Sequence, residues 1–244
     1  MQKKNINLAL IAARKGSKGV KNKNLLNIKN KSITKIAVNI GIKLKKIDKV
    51  ILSSDSQKIL DTVPNDKKLL KLKRKKSLAL DKTPMLPVMQ DAIKYFEKFF
   101  NYNYFVKNLV IIDPTSPLRI TKDINKAMKV FDKKKPDLLV SVHDAEHNPY
   151  FSIIEKKGRF YELSKKNKKI TGSRQAAPKT FEINTIVWIY SRNAVMKLNK
   201  RIPKKTIIFK TPKERSIDID NQNDINLINF YLKNEKKNIQ FKSS

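Results

Sequence analysis

The sequence predicts an α/β fold in which a mostly parallel sheet is flanked on both faces by helices. Up to Ser141, apolar runs of strand length alternate with longer amphipathic segments, the pattern of βαβ units. Most of those runs are apolar throughout rather than alternating, as strands buried on both faces are. The first run passes directly into a basic loop that holds two of the five glycines of the chain, Gly16 and Gly19. Such a junction lets backbone N–H groups converge on an anion.

Each element follows from its residues. The mostly apolar run 6–12 is the first strand, and the basic loop occupies 12–24. A helix is expected over 32–44, opened by Ser32 as N-cap. A strand over 49–53 precedes a helix over 56–63, with Asp55 available as its cap. The run 70–73 is the third strand, 85–100 an amphipathic helix and 108–112 a buried strand. A helix over 122–131 with Thr121 as cap leads to a strand over 138–142.

After Ser141 the pattern changes: 150–155, 159–163 and 185–190 read as strands joined by polar turns, with 165–179 a long irregular loop. The segment of about 143–190 is therefore expected as an inserted flap or arm, and a last helix is expected over 224–233. With no internal repeat and no Gly/Ser linker, 1–244 reads as a single domain.

Composition narrows the function. Zero cysteines exclude disulfides, thiolate metal sites and cysteine nucleophiles. No apolar run reaches about 18 residues and no signal peptide precedes the first strand, so a soluble, cytoplasmic protein without a membrane partner is expected. The formal net charge of +34 is of the kind that suits nucleic acid. The lysines are spread along the chain among abundant Asn and Ile, however, a pattern of AT-rich codon usage, so no specific nucleic acid is expected. The charge still raises the encounter rate with any anionic ligand.

The loop 12–24 reads as a phosphate cradle, or else as a basic surface turn. Arg14, Lys18 and Lys23 lie within ten positions and Ser17 adds a hydroxyl donor. It is neither a Walker A loop nor a dinucleotide Gly-x-Gly-x-x-Gly. Ser53 Ser54 Asp55 Ser56 is a turn or helix cap at the end of a strand, and 74–81 (Arg-Lys-Lys-Ser-Leu-Ala-Leu-Asp) a basic loop entering a helix. Residues 113–119 read Asp-Pro-Thr-Ser-Pro-Leu-Arg after a buried strand, two prolines fixing a loop tipped with small hydroxyls. In Ser-Ile-Asp-Ile-Asp at 216–220, an extended backbone puts Asp218 and Asp220 on one side, suited to a hard cation such as Mg²⁺, or the pair is a strand end capping a helix.

Together these segments resemble the acylneuraminate cytidylyltransferase family, which makes CMP-activated acidic sugars, over nearly the whole chain. Its pieces stand in family order: Arg-x-x-Ser-Lys-Gly-x-x-x-Lys-Asn at 14–24, Ser-x-Asp at 53–55, Arg-x-x-x-Leu-Ala-x-Asp at 74–81 and Pro-Thr-Ser-Pro-Leu-Arg at 114–119. Pro149 Tyr150, Arg174 Gln175 with Pro178, and Asp-Ile-Asp at 218–220 complete the series.

The resemblance implies a nucleotide-diphospho-sugar transferase-like, Rossmann-like fold and a homodimer joined through a protruding dimerisation arm. It further implies attack by the anomeric hydroxyl of a nine-carbon 2-keto sugar acid, of sialic or legionaminic type, on the α-phosphorus of CTP. By position, Arg14, Ser17, Lys18 and Lys23 hold the triphosphate, with Lys23 against the α-phosphate; Asn24, Arg74 and Asp81 bind the nucleotide; and Asp218 and Asp220 hold Mg²⁺. Asp113, Thr115, Ser116, Arg174, Gln175 and Phe181 fall to the sugar, Arg174 facing its carboxylate. The chain departs from the family at Asp113, where relatives carry Gln; at Lys75, where they carry Pro; and at Thr185 Ile186, where they carry Gly-Ala. The alternatives are a related nucleotidyltransferase using another keto sugar acid or nucleotide, a degenerate inactive relative, or a basic nucleic-acid-binding protein on the same fold.

His-Asp-Ala-Glu-His at 143–147 matches the spacing of some zinc peptidases. That chemistry needs a helix, whereas the segment follows a strand and runs into Asn148 Pro149. Trp188 and the aromatic residues of 95–105 are expected to pack rather than to stack on a ligand.

Overall fold

The computed structural model describes residues 3–16, 19–166 and 177–234. Its elements are, in order, β1 (Lys4–Ala12), β2 (Asn27–Ile28), β3 (Lys31–Ser32), α1 (Ile33–Lys43), β4 (Lys49–Ser54), α2 (Gln57–Asp61), β5 (Leu69–Lys73) and α3 (Met85–Phe99). They continue as β6 (Tyr104–Ile111), α4 (Thr121–Lys134), β7 (Leu138–Asp144), β8 (Ile154–Lys157), β9 (Phe160–Leu163), β10 (Phe181–Ser191), β11 (Thr206–Lys210) and α5 (Gln222–Asn234).

Seven strands form the central sheet in the order β11-β7-β10-β6-β1-β4-β5. β4, β1 and β6 pair in parallel, as do β4 with β5 and β7 with β11, while β10 runs antiparallel between β6 and β7. Alternation along β1 shows why the strands are apolar throughout. Leu8 and Leu10 join the core under α3, whereas Ala9 and Ile11 join the core under α1, α2 and α4. A third cluster of Ile28, Ile33, Ile219, Ile225 and Ile228 seats α5 against α1 and the β2–β3 hairpin.

The expected elements form, with corrections at their ends. Ser32 caps α1, its hydroxyl accepting from Lys35 N at 3.1 Å. Asp55 does not cap α2, whose N-cap position is Ser56; its carboxylate accepts from Lys15 N at 2.8 Å instead. Thr121 is the first residue of α4 rather than its cap, which is Ile120.

The segment expected as an arm divides in two. Residues 181–190 belong to β10 in the middle of the sheet, and the excursion between β7 and β10 carries the β8–β9 hairpin. The strand expected at 150–155 forms as β8, shifted along the chain. β11 was not expected: it is a half-exposed edge strand whose Ile208 faces solvent.

Candidate active site

Because β1, β4, β5 and β6 run parallel, their carboxyl ends open on one edge, where Arg14, Asp55, Arg74 and Asp113 follow in turn. Open α/β sheets place ligands at that edge. Backbone bonds knit the ends together: Ala13 N donates to Ser53 O at 3.0 Å, Arg74 N to Ser54 O at 2.8 Å and Ile112 N to Leu10 O at 3.0 Å. The buried Arg74 guanidinium donates to Ser53 O at 2.7 Å and to Ser53 Oγ at 3.0 Å. Burial lowers its pKa from the ordinary value.

A cavity of about 460 Å³ lies over this edge. On one side Arg14 donates to Asp81 at 2.6 Å, and Asn24 Nδ2 donates to Arg14 O at 2.9 Å. Asn24 Oδ1 is buried without a partner among the described residues, an acceptor suited to a ligand donor. On the other side Lys23 Nζ donates to Asp220 Oδ1 at 2.9 Å and also to Ile219 O. Leu78, Thr83, Met85 and Val88 complete the wall.

The two glycines of the loop behave differently. A Cβ on Gly19 would stand 1.9 Å from Asp220 O, so the loop crosses the 216–220 segment backbone to backbone. A Cβ on Gly16 would meet nothing within 4 Å.

The 216–220 segment is fixed at both ends. Arg215 forks onto Asp123 with two bonds of 2.9 Å, and Asp224 Oδ2 accepts from Asp220 N at 2.7 Å and Asn221 N at 2.8 Å. Ile219 N donates to Thr115 O at 2.9 Å, which ties it to the 113–119 loop. That loop folds on itself: Thr115 Oγ1 and N donate to Asp113 Oδ1 at 3.0 and 3.3 Å. The buried Arg119 guanidinium donates to Ser116 O at 2.9 Å, Thr185 O at 3.0 Å and Asp113 O. Burial brings the Arg119 pKa down to about 10, against the opposing pull of Asp113 and Asp218, so it stays charged at neutral pH.

Asp218 has Oδ1 buried and, among the described residues, without a hydrogen-bond partner. Burial first, then the Asp113 charge, pushes its carboxyl above the usual range; Asp220 adds to this while Thr115 and Lys23 oppose it. An ionised carboxylate in that setting favours a nearby cation.

A second cavity, of about 630 Å³, adjoins the first, with Met85 and Asp113 lining both. Its walls are α3 residues Leu86 and Met89, Ile111 of β6, and Trp188 and Tyr190 of β10. Pairing of β10 with β7 slips between Ile183 and Trp188. The bulge aims Thr185 into the site, where its hydroxyl bonds Ser116 Oγ.

Of the residues expected from sequence, Arg14, Lys23, Asn24 and Arg74 line the first cavity together with Asp81, Asp113, Thr115 and Asp220. Ser116 is buried and Asp218 half-buried, and neither lines this cavity. Phe181 lines neither cavity: it opens β10 under Lys210, whose Nζ is 5.2 Å from the ring centroid. Ser17, Lys18, Arg174 and Gln175 lie outside the described residues.

His143 lies on β7, where its Nε2 is 3.1 Å from Glu182 Oε2, and Glu146 pairs with Lys213, so the helix of the peptidase motif does not form. Sequence reasoning missed Met85, Met89, Tyr190 and Arg201 as lining residues and took Trp188 only for packing. Their common signal, separate elements meeting beside Asp113, exists only in three dimensions.

A family model described as "Cytidylyltransferase" matches residues 8–237. "Post-translational flagellin modification protein B" of Campylobacter coli is 31% identical over 235 residues, 96% of this chain and 97% of that protein. "CMP-N,N'-diacetyllegionaminic acid synthase" of Campylobacter jejuni is 31% identical over 225 residues, 92% of this chain and 94% of that protein. Among solved structures, a CMP:2-keto-3-deoxy-manno-octonic acid synthetase complexed with CTP superposes with TM-score 0.64 at 11% identity, covering 94% of this chain and 99% of that one.

Proposed function

The chain belongs to the cytidylyltransferase family, and we propose that it transfers CMP from CTP to the anomeric hydroxyl of a nine-carbon acidic 2-keto sugar of sialic or legionaminic type, releasing pyrophosphate. The observation that carries this reading is the pair of adjoining cavities that share Asp113 and Met85, one rimmed with cations, the other walled by apolar side chains. Two substrates that must react with each other need two compartments with a common boundary.

In this reading the triphosphate lies among Arg14, Lys23 and the loop backbone, with Lys23 stabilising charge at the α-phosphate. Asn24 and Arg74 support the nucleotide, and Asp81 orients Arg14 through their 2.6 Å pair. Ser17 and Lys18 on the triphosphate, and Arg174 and Gln175 on the sugar, are carried by resemblance alone. The attacking hydroxyl comes from the second cavity past Asp113 and Thr115, and pyrophosphate leaves toward the basic loop.

The residues also fit Mg²⁺. Asp218 and Asp220 offer hard oxygen donors, Asp218 Oδ1 is buried and unpartnered among the described residues, and the acid neighbours make the spot favour a cation. Bound there, the ion would neutralise phosphate charge. Lys23 meanwhile holds Asp220 and Ile219 O, keeping its ammonium beside the acids.

A homodimer is part of the proposal. The β8–β9 hairpin projects from the sheet with Ile154, Phe160 and Tyr161 exposed, a surface suited to a second copy.

A coupled pyrophosphate assay with CTP, Mg²⁺ and a panel of keto sugar acids tests the activity. Pyrophosphate should appear only when a nine-carbon acid is present. Release independent of the acid, or absent with every acid and nucleotide, would sink the reading.

A further inference from the structure

We propose that Arg201 is a specificity-determining residue for the acceptor, binding an acyl oxygen on the sugar's tail and so selecting N-acylated, deoxygenated acids over polyhydroxylated ones. The inference rests on the reading of the second cavity as the acceptor compartment.

Among the described residues that line this cavity, Asp113 and Arg201 alone are charged. Asp113 also lines the nucleotide cavity and Arg201 does not, so the two mark the reacting and the remote ends of the compartment. Met85, Leu86, Met89, Ile111 and Trp188 line the same cavity. Such a wall penalises a tail of free hydroxyls, which would lose water without gaining partners. It accepts methyl groups of acyl substituents and deoxygenated carbons.

The guanidinium is held for recognition. Its central carbon lies 5.3 Å from the Trp188 ring centroid, and Trp188 is itself anchored by Nε1 donating to Asn184 O at 2.8 Å. Tyr190 OH donates to Arg201 O at 3.0 Å, which fastens the backbone to the same strand. No ion pair joins Arg201 to an acid among the described residues. A planar guanidinium over an aromatic face keeps its in-plane N–H donors for oxygen acceptors. An amide carbonyl at the remote end of the acceptor answers that chemistry, while Asp113, an acceptor only, answers a hydroxyl or N–H donor at the near end.

The test compares wild type, Arg201→Ala and Arg201→Lys of the full chain. The acceptors are an N-acylated nine-carbon 2-keto acid and an eight-carbon 2-keto acid without acyl groups. Arg201 is exposed, so the variants should keep the wild-type melting temperature. In Arg201→Ala the acylated acid should lose about ten- to hundredfold more kcat/KM than the eight-carbon acid, through acceptor KM, with KM for CTP unmoved. Lysine should restore part of the loss. Equal effects on both acids, or none, would overturn the assignment.

Calorimetric titration of both acids in the presence of a non-hydrolysable CTP analogue reads the same contrast without turnover. Discrimination lost in Arg201→Ala but no turnover in wild type would overturn the proposed activity and keep the Arg201 assignment. Binding of neither acid by wild type would overturn both.

Discussion

Gly19 and Asp220 touch backbone to backbone, with room for no side-chain carbon at Gly19: its Cβ would sit 1.9 Å from the Asp220 carbonyl oxygen. The contact joins the basic loop after β1 to the segment that precedes α5, parts of the chain about two hundred residues apart in sequence. It sets the distance between the cations of one and the acids of the other.

Gly19→Ala should therefore open that distance and lower kcat/KM by at least about tenfold, as small displacements of catalytic groups do. Gly16→Ala, whose Cβ meets nothing within 4 Å, should remain within about threefold of wild type if the loop's other glycine sets its shape. Steady-state kinetics of the two variants side by side decide it. Equal losses would show that backbone freedom, not the Asp220 contact, is what the loop needs.

Lys23 is the cation that the same contact brings to the acids. Its ammonium donates to Asp220 Oδ1 and Ile219 O while its side chain stays mostly buried. Lys23→Ala should cost about 10²–10³ in kcat, the scale of one preorganised donor at a developing charge. Far-ultraviolet circular dichroism should be unchanged. Turnover within a factor of three of wild type would remove Lys23 from the chemistry.

How much of this was legible in the sequence depended on whether a residue's partners were local. β1 was legible because Leu8, Ala9, Leu10 and Ile11 are buried on alternate faces and leave an unbroken apolar run. β11 was not, because its apolar run is only Ile207, Ile208 and Phe209 between polar neighbours, and at a sheet edge with Ile208 exposed none of its residues is fully buried. The motif order anticipated most of the polar residues that line the first cavity. Arg119 closes the 113–119 motif, yet its guanidinium bonds go to the carbonyls of Ser116, Asp113 and Thr185, and no spacing rule reports a backbone partner. Asp55 read as a helix cap because Ser-Asp-Ser before a helix permits it; a long-range backbone donor, Lys15 N, captured it instead.

Arg119 is consequently expected to act on stability before activity. Arg119→Met leaves three carbonyls short of a donor at about 1–3 kcal/mol for each buried unsatisfied group, so that with partial relaxation the loss should be roughly 2–4 kcal/mol. Arg119→Lys should recover only part, since an ammonium cannot fork across carbonyls in different directions. Denaturant midpoints at constant slope measure both. A loss below about 0.5 kcal/mol in Arg119→Met would mean that water replaces the guanidinium.

Asp218 should show the opposite balance, with activity held at the expense of stability. Burial and the Asp113 charge raise its folded-state pKa above the ordinary aspartate value that the unfolded chain retains. Between those two values the native state binds more protons than the unfolded one, so stability increases as pH falls through the folded value and the penalty is present where the folded carboxyl is ionised. Asp218→Asn removes the charge and keeps the shape. At pH 7 it should raise the melting temperature of the ligand-free protein by roughly 2–4 °C, the shift that about 1 kcal/mol produces in a chain of this size. The same variant should lose CMP transfer, because the buried carboxylate is the donor proposed for Mg²⁺. The gain should shrink as the wild-type carboxyl is protonated, so melting curves from pH 7 down to about pH 4 should converge for the two proteins. A variant that melts lower than wild type at pH 7 would show that Asp218 is stabilising as an ion, and the electrostatic account of the site would be wrong.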